Sequence, residues 1–374
     1  MKYYIISGEA SGDLHASNLI RHLNKHDDEM DVRAWGGDLM KAQGAHIVKH
    51  YTELSFMGFW EVFKNLNIIL RNLNFCKKDI LDFRPDALIL VDYPGFNMRI
   101  AKFAKSHQIP VYYYISPQVW AWKKNRVYDI KKYVRELYTI LPFEKDFYAK
   151  YNCNVTYLGH PLLDAISTWK KEQESDHLIW KKSGRPLVAL LPGSRSQELQ
   201  KMLPKMMAVK KQFPQCDFVI AGVGSLGRDF YHSYIKDSNI EVVFNQTYKL
   251  YNEADAALVS SGTATLETSL FNVPQVVCYQ TSWLSYKIAK LLVDVKYISL
   301  VNLIADKEVV KELIQKDLTV SNMVSELSSI LSVEGSAEMK QSYKDLKVLL
   351  GGVGASERIS SAIFSDLKSI VKSL

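Results

Sequence analysis

The chain has 374 residues, 47% hydrophobic and 23% charged, which is more than one core usually fills, so two domains are expected and wholesale disorder is excluded. Its formal charge of +7 is spread along the chain, which suits anionic small molecules or an anionic membrane surface and argues against dedicated nucleic-acid binding. The four cysteines, Cys76, Cys153, Cys216 and Cys278, form no CxxC pair and no zinc spacing, so neither a metal nor a disulfide framework is expected, and a reducing, cytoplasmic compartment is the default.

The N-terminus, MKYYIISGEASGD, turns polar after five apolar residues, too few for a secretory core. No window reaches the ~18 uninterrupted apolar residues of a spanning helix, so any membrane contact is expected to be peripheral. YYIIS (3–7) reads as a strand running into the loop SGEASGD and then a helix pattern. This loop is not GxGxxG, which removes the dinucleotide fingerprint. Glu9, Ser11 and Asp13 suit sugar hydroxyls or an acceptor group, and equally suit an ordinary strand-to-helix turn. His15 is a base or acceptor ligand by its neutral-range pKa, or a structural histidine on a helix.

The stretch from Ser55 to Phe75 crowds Phe56, Met57, Phe59, Trp60 and Phe63 beside Lys64 and Arg71. It reads either as a core helix or as an interfacial segment dipping into anionic lipid. DALILVDYPGFN then climbs a second apolar run to Asp92, a turn residue by its company with Pro94 and Gly95, or a proton acceptor by its place at a strand end. A third run, PVYYYIS (110–116), leads into PQVWAWKKNR, where Trp120 and Trp122 precede Lys123, Lys124 and Arg126. That cluster can hold an anionic or acylated acceptor, can contact nucleic acid, or is a solvated basic face.

The charged stretch Lys170 to Pro186 ends in a Gly and a Pro, and a linker is expected near 165–186. Beyond it LVALL (187–191) repeats the first unit's plan, running into PGSRSQE, with Gly193, Ser194 and Arg195 available to a phosphate. DFVIAG (217–222), AALVSSG (256–262) and PQVVCY (274–279) continue the series of short apolar strands. Such alternation with helix patterns is that of βαβ units, so the fold class is α/β with two doubly wound domains. In SSGTATLE, Ser261, Gly262, Thr263 and Ala264 open a helix whose free N–H groups and dipole favour a diphosphate, while Glu267 can accept from ribose hydroxyls. The bland alternative is a capped helix with an acidic first turn. Past residue 320 the pattern is helical, and Ile359, Ile363, Phe364, Leu367, Ile370, Val371 and Leu374 form one face that must dock on either domain or on another subunit, a homodimer in the last case.

In order, SGEASGD, MGFWEV, DYPGFN, YYISPQVWAWK, LPFE, LGHPLLD, LLPGSRSQE, SGTATLE and YISLVNLIADKEVVKELIQ resemble the motif series of the lipid-A-disaccharide synthase family. The resemblance spans roughly residues 3 to 315. It implies the GT-B architecture, two Rossmann-like domains facing a cleft, with domains at 1–168 and 187–345 and a C-terminal helical piece at 346–374. It also implies transfer of 2,3-diacylglucosamine from UDP to the 6-hydroxyl of 2,3-diacylglucosamine 1-phosphate with inversion, without cofactor or metal, by an enzyme peripherally bound to the inner membrane. By the same resemblance Asp92 matches the candidate general base, the SGTATLE loop with Glu267 the nucleotide element, and Asn302 a donor-site residue. MGFWEV becomes the acyl and membrane contact. Where the family commonly shows SLPNLLAGRELV, this chain has Val301, Asp306 and Lys307 in place of Pro, Gly and Arg. The alternatives are another GT-B enzyme, such as a UDP-GlcNAc 2-epimerase or a lipid-linked glucosaminyl transferase, or a non-catalytic nucleotide-binding membrane module.

Overall fold

The structure is a computed structural model and describes residues 1–54, 66–172, 179–180, 184–235, 240–283, 286–287, 290, 293 and 295–373. It divides into two compact units, Met1–Glu172 with Leu350–Leu374, and Gln173–Leu349.

The first unit runs β1 (Lys2–Ser7), α1 (Ala10–Leu23), β2 (Asp31–Gly36), α2 (Asp38–Ala42), β3 (His46–His50), α3 (Leu66–Phe83), β4 (Ala87–Val91), α4 (Pro94–Ser106), β5 (Val111–Tyr114), α5 (Arg126–Tyr133), β6 (Glu136–Thr139), α6 (Glu144–Ala149), β7 (Thr156–Tyr157) and α7 (Pro161–Glu172). Its seven strands are parallel in the order β3-β2-β1-β4-β5-β6-β7. Alternate side chains go to opposite faces: Tyr4, Ile6, Leu88, Leu90 and Tyr113 share one core, and Tyr3, Ile5, Ile89, Tyr112 and Tyr114 the other. Both faces are buried, which is why the central strands read as unbroken apolar runs.

The second unit runs β8 (Leu187–Leu191), α8 (Ser196–Lys210), β9 (Asp217–Gly222), α9 (Gly227–Ile235), β10 (Glu241–Phe244), α10 (Thr247–Glu253), β11 (Ala256–Ser260), α11 (Thr263–Leu270), β12 (Gln275–Tyr279), α12 (Leu300–Ala305), β13 (Lys311–Ile314), α13 (Val320–Leu331) and α14 (Val333–Leu349). Its strands are also parallel, ordered β10-β9-β8-β11-β12-β13. In each sheet the chain order reverses once, between β1 and β4 and between β8 and β11. Ligands of open α/β sheets bind beyond the carboxyl ends of the strands at such switch points.

The last helix, α15 (Ala355–Ser373), returns to the first unit, where Ile359, Ile363 and Leu367 enter the core beside Leu19 and Ile20 of α1. Asp164 caps its start, accepting from the Gly354 and Ser356 amides at 2.6 and 2.7 Å. Asp366 takes both a bidentate Arg135 (2.6 and 2.8 Å) and the Tyr112 hydroxyl (2.7 Å). Residues 165–172, expected to begin a linker, instead continue helix α7. Phe56, Met57, Phe59, Trp60 and Phe63 lie outside the described residues. The helix that follows them, α3, buries Leu73, Cys76 and Ile80 and exposes Ile68, Leu70 and Phe75.

Candidate active site

At the carboxyl edge of the first sheet, β4 ends at Val91 and the next two residues, Asp92 (φ 46°) and Tyr93 (φ 48°), are both left-handed. Consecutive non-glycine residues in that region cost about 1–3 kcal/mol each and persist only where neighbours impose them. Here the neighbours are identifiable. The fully buried Asn97 amide donates to the Asp92 carbonyl (2.8 Å) and, more weakly, to those of Val91 (3.3 Å) and Ile6 (3.4 Å). The Tyr113 hydroxyl donates to the same Asp92 carbonyl at 2.6 Å, and the Asp92 amide donates to the Tyr114 carbonyl at 3.1 Å. Pro94 opens α4, fixing the exit from the turn. Tyr93 folds back over Gly8, where a Cβ would strike the ring.

The backbone of Asp92 is thus clamped while its side chain stays partly exposed. Burial first, and then the charge of Glu9, push its carboxyl up to about 6. Glu9 is exposed at the N-cap of α1 and Ser11 is exposed in its first turn, where the chain leaves β1, the strand next to β4. Asp13 and His15 are placed otherwise. Asp13 is buried, and its carboxylate accepts from the amides of Gly37 (2.8 Å), Leu39 (3.1 Å) and Met40 (3.2 Å), capping α2. His15 is buried as well, and desolvation lowers its pKa to about 4 despite the nearby Asp164, so it is neutral and enclosed.

At the corresponding edge of the second sheet, Gly193 is left-handed (φ 122°), and a Cβ there would crowd Glu198 and come within 3.4 Å of the Ser260 hydroxyl at the end of β11. That close approach brings the PGSR and SSGT loops together. Glu198 accepts the Ser194 amide at 3.2 Å and lies 3.6 Å from Arg195, whose side chain nonetheless remains 64% exposed. Ser261 donates through its hydroxyl to the Ile298 carbonyl at 2.9 Å. Gly262 and Thr263 are exposed and Ala264 partly so, at the start of α11, where the opening amides have no intrahelical acceptor. Glu267 is partly exposed; burial raises its pKa, and the Tyr248 hydroxyl donates to it at 3.2 Å.

Asn302 is different. It is fully buried, its amide donating to the Val310 carbonyl (2.8 Å) and Glu312 (2.9 Å) and accepting from the Val309 (2.8 Å) and Val310 (2.9 Å) amides. Two donors and two lone pairs are the whole capacity of an amide, so the direct donor contact expected of Asn302 gives way to a staple that seats α12. Glu312 completes it by accepting from the Ile298 and Ser299 amides. Asp306 ends α12 in a left-handed conformation (φ 49°, ψ 27°), which accounts for glycine at that position in the family pattern and for Asp as a tolerated replacement. Val301 is buried in the same helix. Asn97, Tyr113 and Glu312 are the positioning groups that sequence reading did not single out; all three lie within motifs it quoted, but their directions require coordinates.

The family model described as Lipid-A-disaccharide synthetase matches residues 3–363. The lipid-A-disaccharide synthase of Syntrophus aciditrophicus (strain SB) is 35% identical over 372 residues, covering 97% of each chain. That of Geobacter metallireducens is 35% identical over 370 residues, covering 97% of this chain and 96% of its own. Among solved structures, the UDP-GlcNAc 2-epimerase of Neisseria meningitidis bound to UDP-GlcNAc superposes with a TM-score of 0.67 at 14% identity, over 98% of this chain and 100% of that one, a likeness of fold and of GT-B class alone. With two parallel α/β sheets, a matched ordered motif series and end-to-end relatives at this identity, the chain belongs to the lipid-A-disaccharide synthetase family of glycosyltransferases.

Proposed function

We propose that this enzyme transfers 2,3-diacylglucosamine from UDP to the 6-hydroxyl of 2,3-diacylglucosamine 1-phosphate, with Asp92 as general base and the second unit holding UDP. The observation that carries the base assignment is a partly exposed carboxyl at the switch point of the first sheet, its pKa pushed up to about 6, on a strained turn clamped by Asn97 and Tyr113. A base is most effective when its pKa lies near the working pH, so the raised value makes Asp92 a better proton acceptor than an ordinary aspartate. Asp92 takes the proton as the acceptor oxygen attacks the anomeric carbon. The bond from that carbon to the diphosphate breaks on the opposite face, the linkage forms as β-1,6, and UDP departs.

The departing diphosphate needs positive or dipolar stabilisation, which the exposed Arg195 and the opening amides of α11 supply. Glu267 accepts from the ribose hydroxyls, and Asn302 acts at one remove by seating α12. No described helix is long and apolar enough to cross a membrane. Peripheral attachment to the anionic inner membrane from the cytoplasmic side is supported by Ile68, Leu70 and Phe75, exposed on α3 beside Arg71 and continuing the aromatic segment 56–63.

A mass-resolved assay with UDP-2,3-diacylglucosamine and 2,3-diacylglucosamine 1-phosphate tests the reaction: the disaccharide 1-phosphate and UDP should appear in equal amounts. Epimerisation of UDP-GlcNAc with no acylated acceptor would remove the reading. For the membrane claim, anionic liposomes should float the wild type and lose a Phe59/Trp60/Phe63 triple serine variant.

A further inference from the structure

The loop joining β5 to α5, residues 115–125, is not accounted for by the base or by UDP. It is built from below and charged above. Beneath it, the buried Glu144 accepts from the Ile140 and Leu141 amides at 3.2 and 3.0 Å, with Ser116 and Trp120 turned toward the same carboxyl. The Ser116 hydroxyl is 2.6 Å from that of Tyr148, and Trp120 stands edge-on to Phe143 with ring centres 5.0 Å apart. Above, Lys123 takes a left-handed conformation (φ 55°) and Trp122 is 37% exposed. The Lys123 ammonium lies 4.5 Å and the Arg126 guanidinium 5.7 Å from an indole ring centre of Trp122, so both cations rest on the exposed indole rather than on a carboxylate among the described residues. An aromatic face carrying two such cations suits a ligand with a phosphate next to an apolar or sugar surface.

Position links this cluster to the base. β5 is the strand beside β4, and the Tyr113 hydroxyl that donates to the Asp92 carbonyl also feels the Arg126 charge. Asp92 follows β4 directly, and Arg126 opens α5 at the far end of the loop that leaves the neighbouring strand β5. We infer that Lys123 and Arg126 bind the anomeric phosphate of the acylated acceptor while Trp122 packs against its sugar and proximal acyl chain, so that the 6-hydroxyl is presented to Asp92. The inference rests on the transferase reading and names the acceptor subsite it requires. A phosphate on a bulk membrane lipid has the same chemistry and is the competing source.

The test uses the full-length enzyme in non-ionic micelles, where bulk anionic lipid is absent. Binding of 2,3-diacylglucosamine 1-phosphate and of 2,3-diacylglucosamine lacking the phosphate is measured for wild type, Lys123→Gln, Arg126→Gln, Arg126→Lys and Trp122→Ser. Each glutamine variant should lose about tenfold in affinity for the phosphorylated ligand, the worth of one charge-assisted hydrogen bond, and under twofold for the other. Arg126→Lys should recover most of the loss, and Trp122→Ser should weaken both ligands alike, with UDP affinity unchanged throughout. Equal loss for the two ligands, no loss for either, or weakened flotation on phosphatidylglycerol vesicles with micellar acceptor binding intact would each overturn the inference. Turnover in the same micelles separates the two ideas: a wild type that binds the phosphorylated acceptor selectively yet makes no disaccharide contradicts the transferase reading and leaves the phosphate site standing.

Discussion

At the carboxyl edge of the first sheet, β1 and β4 part around two carboxylates, Glu9 and Asp92; at the same edge of the second, β8 and β11 part around Gly193, Ser194, the exposed Arg195 and the opening amides of α11. The two edges share their topology and differ in what the loops present. The first raises a carboxyl pKa by burial and like charge, and holds it on a strained turn. The second lets backbone approach through a left-handed glycine and leaves a cation in solvent. On the proposed reading the first edge serves to accept a proton and the second to accept negative charge, the two tasks that displacement of a diphosphate requires.

This contrast can be broken from either side. Asp92→Asn keeps the shape of the turn and removes the base, so turnover should fall by about 10²–10⁴ while UDP affinity by calorimetry stays at the wild-type value. Arg195→Ala should do the reverse, weakening UDP binding and donor kcat/KM by about 10- to 100-fold with the acid limb of the pH profile unmoved. Asn97→Ala removes the clamp without touching substrate; kcat should drop by roughly tenfold with little change in donor KM, and urea unfolding should show a loss of about 1–3 kcal/mol. The last prediction bears on stability rather than turnover and concerns His15 and His160, both buried and held neutral by desolvation, with pKa values lowered to about 4 and 3. Unfolded histidines titrate near 6.5, so the unfolded chain gains protons first, and stability present above about pH 6.5 should decline toward pH 4 by at most about 1.4 kcal/mol per pH unit for each histidine. A His15→Gln variant followed by thermal melts should show a shallower acid slope.

Much of this was legible in the sequence, for a physical reason. Strands buried on both faces must be apolar throughout, so β1, β4, β5, β8, β9, β11 and β12 stand out. β2 (DVRAWG), β3 (HIVKH), β10 (EVVF) and β13 (KELI) mix polar residues with apolar ones and do not. Small-residue loops after strands likewise mark the switch points. Side-chain direction is not encoded by spacing. Asp13 sits in an acidic loop suited to a sugar, yet it faces the amides of α2 across 24 residues of sequence. Asn302 sits in a motif that the family resemblance assigns to the donor site, yet every hydrogen-bonding position of its amide is filled by its own unit. Conversely, Asn97 and Tyr113 read as helix and strand residues and prove to hold the Asp92 turn in place.

Whether Asp92 takes the proton is tested most directly by the pH dependence of kcat/KM for wild type, Glu9→Gln and Asp92→Asn. With Asp92 as the base, the wild type should show a one-proton acid limb near pH 6, tenfold per pH unit below it. Removing the Glu9 charge should move that limb to lower pH, because its negative charge is one cause of the raised value. The residual activity of Asp92→Asn should lack the limb altogether. A wild-type limb that persists unchanged in Asp92→Asn would show that another group takes the proton.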